Sequence, residues 1–231
     1  MNLTTLLNGN TNTAGTAKSD AQLAGTGGGT ATTSSTASQP LGAVQKRIQA
    51  DVDSTKTQLS AFGVLKSAVS QSQLAAQALG NLSPTSSEAD TTKAMADFVN
   101  SYNAVVSASK AASAGASNSA DRVRKDFQWS LTGTASSDAL KKLGLAVQSD
   151  GTLVQDTPKS VHAIKTDAAG VRSALGRLGS AVHTVATREL DRSGTLGDAL
   201  GRLNQRSTAL AAQQKALSSV AQSLAAYQAN S

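Results

Sequence analysis

The sequence predicts a mostly α protein, an elongated coiled-coil-like helical bundle that carries one small β-hairpin. Three observations predict it. Alanine, serine and threonine supply 41, 31 and 24 of the 231 residues, and only six residues are aromatic. So little bulk cannot fill a thick globular core, because large side chains supply most of the burial energy, whereas alanine suits thin helical pairing. Apolar residues recur at steps of three and four along most of the chain after residue 40, the spacing of one helix face. Leucine then returns at every seventh position from Leu196 to Leu224, the period of a supercoiled seam.

Residues 1–40 hold two charges, Lys18 and Asp20, in a field of Thr, Gly, Ser, Asn and Ala. They read as a disordered tail, since they cannot bury enough to offset their ordering entropy. Residues 41–81 read as an N-terminal coiled-coil helix. Its stripe runs through Leu41, Val44, Ile48, Val52, Leu59, Phe62, Leu65 and Val69, with Thr55 as an interruption and Gly63 as a weak point. Gly80, Asn81 and Pro84 end it. Residues 82–97 form a short linker and the start of the next helix.

The remainder, 98–231, reads as a helical leg. Its first helix begins near Ser87 and carries Met95, Phe98, Val99, Tyr102, Val105 and Val106 on one side. A small-residue loop is expected at 111–120, then a short helix at 121–131 with Val123, Phe127 and Leu131 on one face. Trp129 points off that face, toward a tertiary contact or an interface. At 143–156 the apolar residues alternate around Ser149, Asp150 and Gly151, which marks a hairpin turned at Asp150 and Gly151. Helix returns from Val161 to Val185, with Gly170 as a candidate break. In the closing leucine seam, Leu196, Leu203, Leu210, Leu217 and Leu224 face another helix, while Arg206 and Gln213 occupy places where a second apolar row would lie.

Several function classes have no residues to carry them. With no cysteine, disulfide scaffolds and thiol chemistry drop out. No run of about eighteen apolar residues offers a membrane span, and the opening MNLTTLLNGN lacks the charge and apolar run of a Sec signal. The net charge of +6 is scattered, and its densest cluster, Arg122, Arg124 and Lys125, is flanked by Asp121 and Asp126. Nucleic-acid binding is not expected. His162 and His183, read as one helical stretch, would stand about 30 Å apart at 1.5 Å per residue, too far to share a metal. Both lie off the apolar stripe and read as solvated. The glycines Gly25, Gly27, Gly28 and Gly29 neither follow a strand nor open a helix, so they make no phosphate cradle. Glu88 and Glu189 read as first-turn or solvated charges. No enzyme is expected, and no catalytic, cofactor-binding or metal residue is assigned.

Four stretches in order carry a family likeness: residues 47–79, FVNSYNAVVSA at 98–108, LKKLGLAVQSDGTLVQD at 140–156, and the closing heptad helix. Together they resemble the flagellar filament cap protein, the hook-associated protein 2 family. FVNSYN is similar to the family's Phe-Val-x-x-Tyr-Asn motif, and LGLAVQSDGTL to its hairpin. The chain would be a short form, because the β-rich head that the family inserts after the first helix has no room at 81–97. The resemblance implies that Ile48, Val52, Leu59, Phe62, Phe98, Val99, Tyr102, Val105, Leu203, Leu210 and Leu217 serve packing and assembly, with Asp150 and Gly151 in the hairpin turn. It also implies a homo-oligomer at the filament tip that helps flagellin assemble, with flagellin and the hook–filament junction proteins as partners and an export chaperone as a further candidate. Location would be extracellular, on the bacterial flagellum, by the flagellar type III pathway and without membrane insertion. Family members are also linked to cell adhesion. The rival readings are an intracellular coiled-coil adaptor or export chaperone, and a tip protein of a related secretion system.

Overall fold

The computed structural model describes residues 38–115 and 118–230. The expected tail at 1–40 lies outside the described residues, save its last three, which open the first helix. In chain order the elements are α1 (Ser38–Gly80), α2 (Glu88–Ser113), α3 (Asn118–Thr134), α4 (Ser137–Lys142), β1 (Leu145–Val147), β2 (Leu153–Gln155), α5 (Thr157–Thr166), α6 (Ala168–Leu190) and α7 (Thr195–Ala229). The fold is mostly α with one small antiparallel hairpin, as the sequence predicts. The strands pair Leu145 with Gln155, Ala146 with Val154 and Val147 with Leu153.

Helix ends follow local chemistry. Ser87 caps α2, its hydroxyl accepting from the Asp90 N–H at 3.0 Å, which satisfies one of the free first-turn donors. The Val161–Val185 stretch breaks at Asp167 rather than at Gly170. The Asp167 N–H bonds the Ala163 carbonyl at 2.9 Å, and its carboxylate accepts from the Gly170 N–H at 2.8 Å. One residue thus closes α5 and caps α6, and glycine only supplies the donor. The histidines therefore sit on separate helices, His162 on α5 and His183 on α6. The small-residue run at 111–120 is mostly helical, with α2 reaching Ser113 and α3 starting at Asn118. Its first three residues belong to α2 and its last three to α3, and alanine is the best helix former.

α1 is the spine, packing on α2, α6 and α7. Its C-terminal half contributes Phe62, Leu65, Val69, Ala76 and Leu79 to a core completed by Met95, Phe98, Tyr102 and Val105 of α2, Val123, Phe127 and Leu131 of α3, and Leu175, Leu178 and Val182 of α6. α1 and α6 run close together at Gly179, where a Cβ would fall 2.5 Å from the Ala76 carbonyl oxygen and 2.7 Å from the Gly80 nitrogen. Between α1 and α2, the guanidinium of Arg172 holds the turn: Nη1 donates to the Pro84 carbonyl at 2.7 Å and Nη2 to the Ser86 carbonyl.

The N-terminal half of α1 pairs with α7 in an antiparallel two-helix arm. The direction is fixed by Gln49 facing Gln214 at 2.9 Å and Asp51 facing Arg206 at 2.9 Å. Thr55 does not interrupt the seam: it is buried, and its hydroxyl bonds the Asp51 carbonyl of its own helix at 2.7 Å.

Candidate functional site: a clamped hairpin and a helical arm

With no catalytic residue assigned, the candidate site is the set of residues expected from the sequence to serve packing and assembly. The hairpin comes first. Its turn closes with the Gly151 N–H on the Gln148 carbonyl at 3.0 Å, and Gly151 has φ +87°, a backbone that L side chains rarely adopt. Asp150 accepts from the Thr152 N–H at 3.0 Å and the Thr152 hydroxyl at 2.6 Å, and Lys110 of α2 reaches it at 3.1 Å. These donors, Thr152 foremost and then Lys110, hold the Asp150 carboxyl down at about 2.

The hairpin is joined to α2 by one side chain. Asn103 donates its amide to the Leu153 carbonyl at 2.8 Å, and the Leu153 N–H donates to the Asn103 side-chain oxygen at 2.7 Å. A carboxamide offers a donor and an acceptor side by side, so it pairs with one residue of β2 as a neighbouring strand would. The contact spans fifty residues of sequence. Beside it, Tyr102 is buried between Phe98 and Phe127, each ring centroid 6.4 Å from its own. Burial pushes the Tyr102 hydroxyl up to about 12, with the nearby Arg124 acting the other way. The FVNSYN and DGTL stretches are thus one unit. Sequence reasoning does not single out Asn103; its place in FVNSYN, one residue after the buried tyrosine, is the available signal.

The residues that the resemblance assigns to packing and assembly divide between two environments. Phe62, Phe98, Val99, Tyr102 and Val105 lie in the core. Ile48, Val52 and Leu59 are half-buried along the arm, with Leu203 and Leu217 half-buried opposite them and Leu210 buried. Toward the end of α7 the seam opens: Val220, Leu224 and Tyr227 are 37, 38 and 75 % exposed. Arg206, in its interrupting place, is spent on the ion pair with Asp51, while Gln213 is exposed. Trp129 makes no tertiary anchor, being 78 % exposed on α3.

Two solvated readings are corrected. His183 is half-buried against α1, its Nδ1 3.4 Å from the Gln73 carbonyl. Glu189 is buried, 1 % exposed, because it faces α3 and the turn before α7. Among the described residues no group of three or more His, Cys, Asp or Glu is placed to hold a metal ion, and no helix is long and apolar enough to cross a membrane.

No family model, no curated protein and no solved structure matches this chain.

Replacing Asn103 with Ala leaves the Leu153 N–H and carbonyl unpaired in a buried place, a loss of about 1–3 kcal/mol. Urea unfolding should register it, and amide exchange at 145–155 should rise before the rest of the body. Asp150 tests the turn. Its depressed value keeps its contribution complete above the ordinary carboxylate range, to be lost as pH falls toward about 2. The Thr152 amide resonance should move over that window in the parent chain and stay still in Asp150→Asn.

Proposed function

We propose that this chain is a structural component of the bacterial flagellum, of the filament-cap, hook-associated protein 2 type, which helps flagellin assemble at the filament tip. The observation that carries the reading is the Asn103 clamp on Leu153. The two most specific stretches of the resemblance, FVNSYN and the Asp-Gly-Thr-Leu hairpin, make sense as a linked pair only if each is the other's binding partner. Their physical coupling supports reading them as one inherited unit rather than two chance matches.

The division of the molecule suits such a role. A body packed around Phe98, Tyr102 and Phe127 holds its shape, while a two-helix arm with a half-buried apolar seam offers a helical surface for neighbouring helices. The turn at 82–87, held shut by Arg172, takes the place of the family's head. Contacts between subunits would then fall to the arm and the exposed surfaces of the body. Export through the flagellar pathway, self-association and contact with flagellin belong to this proposal as well.

A deletion strain tests it. Shortened filaments with flagellin shed into the medium, restored by the intact gene, are the expected result, together with labelling of the protein at filament ends. Filaments of normal length with no flagellin lost would overturn the reading and favour the intracellular adaptor.

A further inference from the structure

One buried titratable group has no part in the hairpin clamp or the arm seam. Glu189, in the last turn of α6, is 1 % exposed. Its Oε1 lies 3.4 Å from Arg188 Nη2, and that same nitrogen lies 3.0 Å from Oδ2 of Asp126 on α3. The other oxygen of Glu189, Oε2, is buried without a hydrogen-bond partner. One guanidinium, itself 59 % exposed, thus serves two carboxyl groups. Glu189 is buried and shares its one guanidinium partner with the half-exposed Asp126, so both burial and the neighbouring carboxylate favour its neutral form.

The surrounding charges do not remove the conflict. Lys66 of α1, Arg192 of the following turn, and Asp198 and Arg202 of α7 line the cleft of about 560 Å³ that Glu189 borders. Of these, Arg202 is already paired with Asp198 at 2.6 Å. Asp191, next along the turn, accepts from the Ser193 N–H and hydroxyl at 2.8 and 2.6 Å. The turn rests directly on this site. A Cβ at Gly194 would fall 2.0 Å from the Arg188 carbonyl oxygen and 3.0 Å from the Glu189 Cα. Movement at Glu189 is therefore felt where α7 leaves the body.

We propose that Glu189, Asp126 and Arg188 form a proton-sharing latch at the root of the arm, closed while Glu189 donates its proton to Asp126 and slackened when that proton leaves. Burial first, then Asp126, push the Glu189 carboxyl above its ordinary range, while Arg188 pulls the other way. A value raised in the folded chain makes the latch's contribution complete below the ordinary glutamate range, and it is lost as pH rises through the raised value. The proposal stands apart from the flagellar reading.

The test uses the full chain, with carboxyl-carbon NMR, melting and amide exchange followed from about pH 4 to about pH 8. Glu189 should titrate above the free-glutamate value of about 4.3, and amide exchange at 190–196 should quicken as it does so. Glu189→Gln, which keeps a donor for Asp126 and an acceptor for Arg188, should melt about 2–4 °C higher than the parent at the alkaline end. It should also lose the pH dependence of exchange at the turn. In Asp126→Asn, Glu189 should titrate lower. A Glu189 carboxyl that titrates at or below its ordinary value in the parent chain, or one unmoved by Asp126→Asn, overturns the proposal. So does a Glu189→Gln chain destabilised equally at both ends of the range. The parent titration stands even if a variant fails to fold.

Discussion

The missing side chain at Gly179 lets α1 and α6 run against each other backbone to backbone, and the rest of the body is arranged around that approach. A Cβ there would sit 2.5 Å from the Ala76 carbonyl oxygen and 2.7 Å from the Gly80 nitrogen. A chain with 41 alanines has too few large side chains to bridge wide gaps. Dispersion contacts are lost within an ångström of separation, so such a chain must bring its helices together or leave voids. With the spine drawn in, the larger side chains of α1, Phe62, Leu65, Val69 and Leu79, are buried completely or nearly so.

The same helix behaves differently along its length. Beyond Phe62 toward its N-terminus, α1 pairs with α7, and Ile48, Val52 and Leu59 are half-buried where the body residues are closed. Its polar ties, Gln49 to Gln214 and Asp51 to Arg206, are exposed, and exposed pairs contribute little. In the body the polar ties are few and specific: Asn103 to Leu153, Arg172 to the Pro84 turn, Ser160 to the Leu143 carbonyl at 2.9 Å. Stability is accordingly concentrated in the body, and the arm has the lower cost of local opening. An arm of this kind is suited to exchange its neighbour for another helix, and that is the link between packing and the assembly role proposed above.

Much of the fold is legible in the sequence because its signals are local. Ser87 announces a cap, Gly151 a turn, and the seven-residue leucine row a helix pair. What the sequence hides depends on contacts between distant segments. Asp167 outcompetes Gly170 as the break because its carboxylate caps the next helix while its N–H closes the last one. The small-residue run at 111–120 reads as a loop, and a break does separate α2 from α3 there, but its ends, 111–113 and 118–120, are helical because alanine favours helix. Glu189 continues the buried row of α6 after Val182 and Ala186 but carries a charge, and His183 lies beside that row; only the placement of α3 and α1 shows that they are enclosed. Asn103 is the plainest case, since nothing within its own helix reveals a partner fifty residues away.

The closest test of the packing account is a pair of glycine substitutions read by urea unfolding. Gly63 lies on the exposed face of α1, where a Cβ would meet nothing within 4 Å, whereas a Cβ at Gly179 meets the backbone of the same helix. Gly63→Ala should stabilise the chain by about 0.5–1 kcal/mol through helix propensity. Gly179→Ala carries the same propensity gain but should destabilise it, by about 1–3 kcal/mol, because α1 must be pushed away along its length. Equal stabilisation by the two substitutions would show that α1 and α6 are not in backbone contact, and would contradict the account.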